Sequence, residues 1–292
     1  MTDAQNKVGG ESLTAAIEGA EILDRVATPL SNAVRSALDP GPVKDALSGT
    51  WLGHPLHPVL TDVVVGSFLS TSALDLLGGR RLEPARRRLI ALGLAAYAPT
   101  AASGASDWID ASSDPRVKRD GVVHAAANLV GSALYAASVP LGRRGRHAAA
   151  VTTRAAGMGM LVLGAFLGGH LSFRRGVGPD QTFFDPGPDD WTPAIDGSQL
   201  VEGRPHRALV GGTPVLLLQR GERIHAIHDR CSHRGCSLAD GEVDGEEIVC
   251  GCHFSRFSLI DGSVRRGPAV APQPVYETRR EGSIVEIRLG GG

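Results

Sequence analysis

The chain has 292 residues, 42% of them hydrophobic, and a formal net charge of −1. That length predicts two domains, and the near-neutral charge excludes the basic footprint that nucleic-acid binding needs. The first fifty residues are polar, with no apolar core and no small-residue cleavage site, so no secretory signal is expected. The averages conceal a division: residues from about 58 to 172 hold few acids or lysines and are rich in Ala, Leu, Val and Gly, whereas the rest reads as soluble protein.

Residues 12–38 place Leu13, Ile17, Leu23, Val26, Leu30 and Val34 mostly at helical steps, which predicts an amphipathic helix. Pro29 is expected to break it in two. Such a helix can lie on a membrane surface, dock on a partner or pack on its own protein. Pro40, Gly41 and Pro42 end it, and residues 1–50 are read as one amphipathic and polar segment.

The stretch WLGHPLHP over 51–58 opens the apolar region. Four apolar runs follow, at roughly 59–78, 88–106, 121–141 and 150–172. Each is close to the ~20 residues that cross a bilayer as a helix. None carries the polar face that a soluble bundle requires. Gly157, Gly164 and Gly168 suit close helix contact in lipid. Residues 51–175 are therefore expected to form a membrane α-helical bundle of four transmembrane helices.

Short loops imply an up-down topology, which sorts side chains to two faces. His54 and His57 start the first span, with Asp62 one turn inside; Asp107 and Trp108 end the second; His124 opens the third, with Asn128 a turn on; His170 closes the fourth. All are expected at one face. Ionisable groups inside a membrane are costly and usually functional. We therefore read His54, His57, Asp62, Asp107, His124 and His170 as a candidate membrane-face redox site for a quinone, a haem or a metal, or as a proton relay. Interfacial anchoring is the plainer alternative. The opposite face collects Arg80, Arg81, Arg86, Arg87, Arg88, Arg143, Arg144, Arg146 and His147, read as topology signals only. They favour a cytoplasmic position for that face and an extracytoplasmic position for the C-terminal domain. Asp75, near the arginine face, is read as a structural or pairing residue.

The bundle resembles a bacterial family of four-helix membrane proteins of uncharacterised function. Its members begin with a similar GHPLHP stretch and end in a GGH-type turn, here Gly168-Gly169-His170. The resemblance covers about residues 50–175 and implies membership of the membrane.

Residues 176–190 are rich in Gly, Pro and Asp and are expected to be a linker. Trp191 opens the second domain, 191–292, where short, partly alternating segments at 207–210, 214–219, 223–228, 247–250, 256–260 and 283–288 are separated by Gly-containing turns. That pattern predicts an all-β domain. His206, His225 and His228 are expected to face solvent.

The region 231–253, CSHRGCSLADGEVDGEEIVCGCH, holds all four cysteines. Cys231 with His233 forms a C-x-H pair, and Cys250 with His253 a C-x-x-H pair about one hairpin later. Thiolates and imidazoles in two such hooks suit a metal centre. A structural Cys₂His₂ zinc site and a [2Fe–2S] cluster with Cys₂ on one iron and His₂ on the other share this inventory.

The flanking residues favour iron and sulfur. Residues 190–290 resemble a Rieske domain, which implies a [2Fe–2S] cluster with Cys231 and Cys250 on the buried iron and His233 and His253 on the outer one. The additional Cys236 and Cys252 are similar to the pair in Rieske subunits of quinol-oxidising complexes, whose cluster loops are tied by a disulfide. The resemblance thus implies a Cys236–Cys252 bond. It also matches Ser255 to the serine that hydrogen-bonds a cluster sulfide. Gly267-Pro268-Ala269, with Pro272 and Pro274, matches the proline-rich loop that covers the cluster. Two positions depart from the pattern. Phe254 stands where the family usually has glycine, and Phe257 where high-potential members carry tyrosine, whose loss should lower the potential.

The expected function is membrane-anchored transfer of single electrons between a quinol or haem partner at the membrane and another redox protein. The expected partners are the quinone pool, a redox protein and membrane lipid. A membrane-anchored redox sensor, with the bundle only an anchor, is the alternative. An oxygenase subunit is the poorest reading, because little chain follows His253 to form a catalytic iron domain.

Overall fold

The computed structural model describes residues 9–290. The chain divides into two units, the first ending at Val177 and the second beginning at Gly178, except that Asp39–Pro55 belongs with the second. This shifts the expected boundaries. The stretch before the first span is shared between the units, and most of the expected linker belongs to the second.

In the first unit, α1 (Gly9–Gly19) and α2 (Asp24–Ala37) are separated at Ala20, and a short 3₁₀ turn, Glu21–Leu23, leads into α2. The break therefore lies before Pro29, which α2 passes without interruption. Only one intrahelical donor is missing there, and packing on the bundle retains the helix. The helices dock through their polar side. Arg119 Nη2 lies 2.6 Å from Asp24 Oδ2, Lys118 Nζ donates to Thr28 Oγ1 at 2.9 Å, and Arg35 donates to the Ile109 carbonyl at 2.7 Å. Ile22, Val26 and Leu30 are left outward at 59, 58 and 43% exposure.

The short α3 (Pro42–Ser48) belongs to the second unit. The four long helices of the first unit are α4 (Leu56–Leu77), α5 (Glu83–Ala111), α6 (Pro115–Arg143) and α7 (His147–Gly169), the last extended by a π-type turn, His170–Arg174. All four are long and apolar enough to cross a membrane. Gly78 and Gly79, both at positive φ, end α4. Asp114 caps α6 by accepting the Arg116 N–H at 2.9 Å, with Pro115 at the first helical position. Small residues bring α6 and α7 together: a Cβ on Gly157 would lie 3.0 Å from the Gly131 carbonyl. Phe68 and Tyr135 stack at 4.3 Å in the core, and the Tyr135 hydroxyl is satisfied by Ser72 and the Phe68 carbonyl. Leu69, Leu76, Leu129 and Val162 point outward, as lipid-facing side chains do.

Asp75 is paired, as expected, but its partners include Arg86, which was read as a loop charge. Arg86 Nε reaches Asp75 Oδ1 at 2.7 Å, and Arg154 Nε and Nη2 bind both Asp75 oxygens at 2.7 Å. The two arginine side chains are only 5 and 2% exposed. Burial makes Arg86 a structural ion rather than a solvated topology signal.

The second unit holds two antiparallel sheets. β1 (Thr192–Asp196), β2 (His206–Val210), β3 (Thr213–Arg220) and β4 (Arg223–His228) are followed by the short β5 (Glu242–Asp244), β6 (Glu247–Val249), β7 (Arg256–Ser258) and β8 (Val264–Arg266), then β9 (Val275–Glu281) and β10 (Ile284–Leu289). The six-stranded sheet runs β1-β10-β9-β4-β3-β2 and the four-stranded sheet β5-β6-β7-β8. The run Val215–Leu218 is fully buried because both faces of β3 are covered. Leu216 and Leu218 pack with Ile227, Leu238 and Phe257, and Val215 and Leu217 with Val210, Tyr276 and Ile287. His228, expected at the surface, is fully buried at the end of β4. Its Nδ1 accepts the Arg230 N–H at 3.0 Å, and burial pushes the imidazole below its ordinary pKa. His225 is half-buried, with Nδ1 3.1 Å from the Leu259 carbonyl.

The expected linker is laid onto this unit. The Gln181 N–H donates to the Ser232 carbonyl at 3.0 Å, the Tyr276 hydroxyl to the Pro186 carbonyl at 2.9 Å, and the Leu289 N–H to the Pro188 carbonyl at 2.7 Å. Its composition prevents regular structure, but its carbonyls are used. Arg279 and Arg288 both lie over the Trp191 ring, with guanidinium carbons 4.5 and 4.7 Å from its centre.

Candidate metal centre

Two loops of the same construction carry the Cys and His hooks. In the first, the Cys231 N–H donates to the Cys236 carbonyl and the Gly235 N–H to the Cys231 carbonyl, both at 2.8 Å. In the second, the Cys250 N–H donates to the Ser255 carbonyl at 2.9 Å and the Phe254 N–H to the Cys250 carbonyl at 3.0 Å. Each loop needs a left-handed residue four positions after its first cysteine: Gly235 at φ 78° and Phe254 at φ 63°. Glycine takes this conformation without strain, so the departure noted at Phe254 is a side chain accepting an unfavourable backbone.

The structure joins Cys236 to Cys252 across the two loops and leaves Cys231 and Cys250 as buried thiols. The bond closes 16 residues. Replacing both cysteines with serine is expected to cost about 3 kcal/mol. Thermal bleaching of the cluster would report this as a lower midpoint; an unchanged midpoint would mean the loops are held without the bond.

The donors are arranged by depth. Cys231 and Cys250 are each 1% exposed, whereas His233 and His253 are half-buried, with ring centres 5.1 Å apart and planes at 90°. The Cys231 thiol donates to Cys250 and, with the Cys252 and His253 N–H groups, lowers the Cys250 pKa, while the same bond and burial raise that of Cys231. The His233 and Arg234 N–H groups converge on Cys231. Backbone dipoles thus favour negative sulfur in both loops, as thiolate ligands require. Two buried thiols and two accessible imidazoles fit a cluster with unlike irons.

Ser255 is fully buried and its Oγ accepts the Ala269 N–H at 3.0 Å, which leaves its own hydrogen to donate. The proline-rich loop carries a cis Gly267–Pro268 peptide, and Ser232 Oγ donates to the Ala271 carbonyl at 2.8 Å. Thr50 Oγ1 also reaches this loop, donating to the Ala269 carbonyl at 3.3 Å. A Cβ on Gly267 would sit 2.9 Å from Asp45 Oδ1. Asp45 and Thr50 were missed from sequence, because nothing local links them to a loop more than two hundred residues later.

Phe257 is fully buried in the same cluster of side chains as Cys231 and Cys250. Phe257→Tyr should raise the reduction potential by on the order of 40 mV, about 1 kcal/mol of net hydrogen bonding in a one-electron couple. A redox titration followed by EPR measures it, and an unmoved potential would mean the new hydroxyl does not reach the sulfur.

The membrane-face residues do not form one site. His57 and His124 come together, with ring centres 6.4 Å apart. Their Nδ1 atoms lie 3.0 Å from the Thr100 carbonyl and 2.8 Å from the Gly164 carbonyl. When Nδ1–H donates to the carbonyl, Nε2 keeps its lone pair. Gly104 and Gly168 make room for the rings: a Cβ there would lie 2.7 Å from His57 and 3.0 Å from His124. His170 instead meets Glu18 and Asp120. His54 is exposed and belongs to the second unit; Asp62 is exposed and Asp107 half-buried. Of the expected convergence the structure shows one histidine pair, and it turns His170 onto Glu18 and Asp120 instead.

Residues 190–277 match the family described as Rieske [2Fe-2S] domain, and residues 53–181 the family described as Predicted membrane protein (DUF2231). The chain therefore carries a Rieske iron–sulfur domain behind a predicted membrane domain, and its cofactor is a [2Fe–2S] cluster. Among curated proteins it is similar to the anthranilate 1,2-dioxygenase ferredoxin subunit of Burkholderia cepacia, 27% identical over 35% of this chain and 94% of that protein. The 3-phenylpropionate/cinnamic acid dioxygenase ferredoxin subunit of Shigella boydii is 35% identical over 26% of this chain and 74% of its own length. Among solved structures, the ferredoxin of carbazole 1,9a-dioxygenase from Nocardioides aromaticivorans is 28% identical over 34% of this chain and 96% of its own, with a TM-score of 0.32. The Rieske domain is an electron-transfer module.

Proposed function

We propose that this protein is a membrane-anchored carrier of single electrons, exchanging them with a quinol or haem in the membrane and with a second redox protein. Cys231 and Cys250 hold one iron, and His233 and His253 the other. The cluster supplies one-electron exchange. The observation that carries the reading is the depth of the donors: buried thiols behind two accessible imidazoles 5.1 Å apart. Phe254, 47% exposed beside His253, offers apolar contact to a docking protein. The likeness to dioxygenase ferredoxins supports a redox protein as partner.

His57 and His124 are the groups at which a quinol or haem would bind; Asn128 Nδ2, 3.3 Å from His124 Nε2, would give way to it. The remaining loop arginines favour a cytoplasmic position for the opposite side of the membrane, and with it an extracytoplasmic Rieske domain. The test uses the full chain in lipid vesicles. Adding a short-chain quinol should reduce the cluster, and His57→Ala with His124→Ala should slow this at least tenfold while dithionite still reduces it fully. No quinol-driven reduction, in a preparation also free of haem, would overturn the membrane half of the proposal and favour a redox sensor anchored by the bundle.

A further inference from the structure

The first unit holds a second cluster of metal-binding groups, separate from the His57–His124 pair. Glu18, in the last turn of α1, Asp120, on α6, and His170, at the start of the π-type turn, each present one donor atom, all within 4.8 Å of one another. His170 Nε2 lies 3.0 Å from Glu18 Oε1 and 3.6 Å from Asp120 Oδ2. Asp120 is fully buried, and among the described residues neither of its carboxylate oxygens has a hydrogen-bond partner.

That last feature is hard to explain by ion pairing. A buried carboxylate without a partner is costly, and buried charges are ordinarily paired or bound to metal. One imidazole nitrogen cannot serve both acids: Nε2 has a single proton, and Glu18 is the nearer acceptor. A cation between the three groups satisfies all of them, because Nε2 then gives its lone pair and each acid an oxygen. Ligands about 2.1 Å from a metal stand roughly 3.0 to 3.5 Å apart. The two separations from Nε2, 3.0 and 3.6 Å, lie close to that spacing.

We infer that Glu18, Asp120 and His170 form a binding site for a first-row divalent cation. One imidazole with two carboxylates and no thiol suits Mn²⁺, Fe²⁺ or Zn²⁺. Arg175 donates to Glu18 Oε1, fixing that carboxylate as an outer-shell partner and offsetting one negative charge. With His170 neutral, the two acids and Arg175 leave one net negative charge for the cation. The π-type turn presents His170, and such turns recur at functional sites. A shallow groove of about 490 Å³, lined by Phe166, Gly169, Phe173 and Arg174 among others, reaches His170.

The test is titration of the purified, chelator-treated full chain with Mn²⁺, with the iron–sulfur cluster oxidised and free Mn²⁺ followed by EPR. One Mn²⁺ per chain is expected, with spin-echo modulation from a histidine nitrogen. Asp120→Asn should weaken binding at least 100-fold, and His170→Gln should remove the nitrogen modulation, while the visible spectrum of the cluster stays unchanged in both. Zn²⁺ should displace the Mn²⁺. Failure of the wild-type protein to bind Mn²⁺ stoichiometrically, or equal binding by Asp120→Asn, would overturn the inference and leave the cluster as an ion-pair network. The inference stands apart from the electron-transfer reading, because the cluster spectrum and quinol reduction are independent readouts.

Discussion

Protein carrying His253→Ala will lose the Rieske EPR signal after dithionite reduction, and its iron content will fall towards zero. His253 is half-buried beside His233, on a loop whose shape is set by backbone bonds from Cys250 to Ser255. The loop is also held by the Cys236–Cys252 bond, so the domain should fold without the imidazole. What disappears is a ligand to the outer iron, and with three protein donors the cluster is no longer retained. His206→Ala, on the edge strand β2, is the control and should keep full iron. The same measurement decides between the metals that share this donor set, since a Cys₂His₂ zinc site would contain zinc and no iron. A full-strength EPR signal in His253→Ala would remove His253 from the ligands.

The second large effect belongs to the bundle. Asp75→Ala leaves Arg86 and Arg154 buried without their shared carboxylate, which should destabilise the protein by about 3–5 kcal/mol. Unfolding in mixed detergent micelles, followed by helix content, measures this. Removing the charges together is the informative comparison. A triple variant, Asp75→Leu with Arg86→Met and Arg154→Met, should recover part of the loss, because apolar side chains need no partner where an orphaned guanidinium does. A cost below about 1 kcal/mol for Asp75→Ala would mean that water or lipid headgroups reach the arginines.

The two cluster loops show how a family departure becomes a physical statement. The motif CSHRGC and the motif CGCHFS differ in where their second cysteine falls, yet their backbones close with equivalent hydrogen bonds. Gly235 and Phe254 occupy equivalent left-handed positions. Sequence comparison marks Phe254 only as unusual. The structure shows that glycine is preferred there for its backbone, and that phenylalanine adds an exposed ring beside a cluster ligand.

Much was already legible in the chain. Closely spaced Cys and His hooks identify a metal centre because ligands a few residues apart lie on one loop, where the backbone alone brings them together. The four spans are legible because a bilayer demands an apolar run of set length, and the short strands because alternation is local. The groups that depend on distant neighbours were not. Asp75 meets Arg154, and Glu18 meets His170, across most of the bundle. Asp39–Pro55 joins the second unit, and His228 is buried at the end of a strand that begins exposed. Periodicity reports which side of an element a residue occupies, but not what covers that side. Packing decides the cover, and with it whether a charge is a solvated signal, a buried ion pair or a metal ligand.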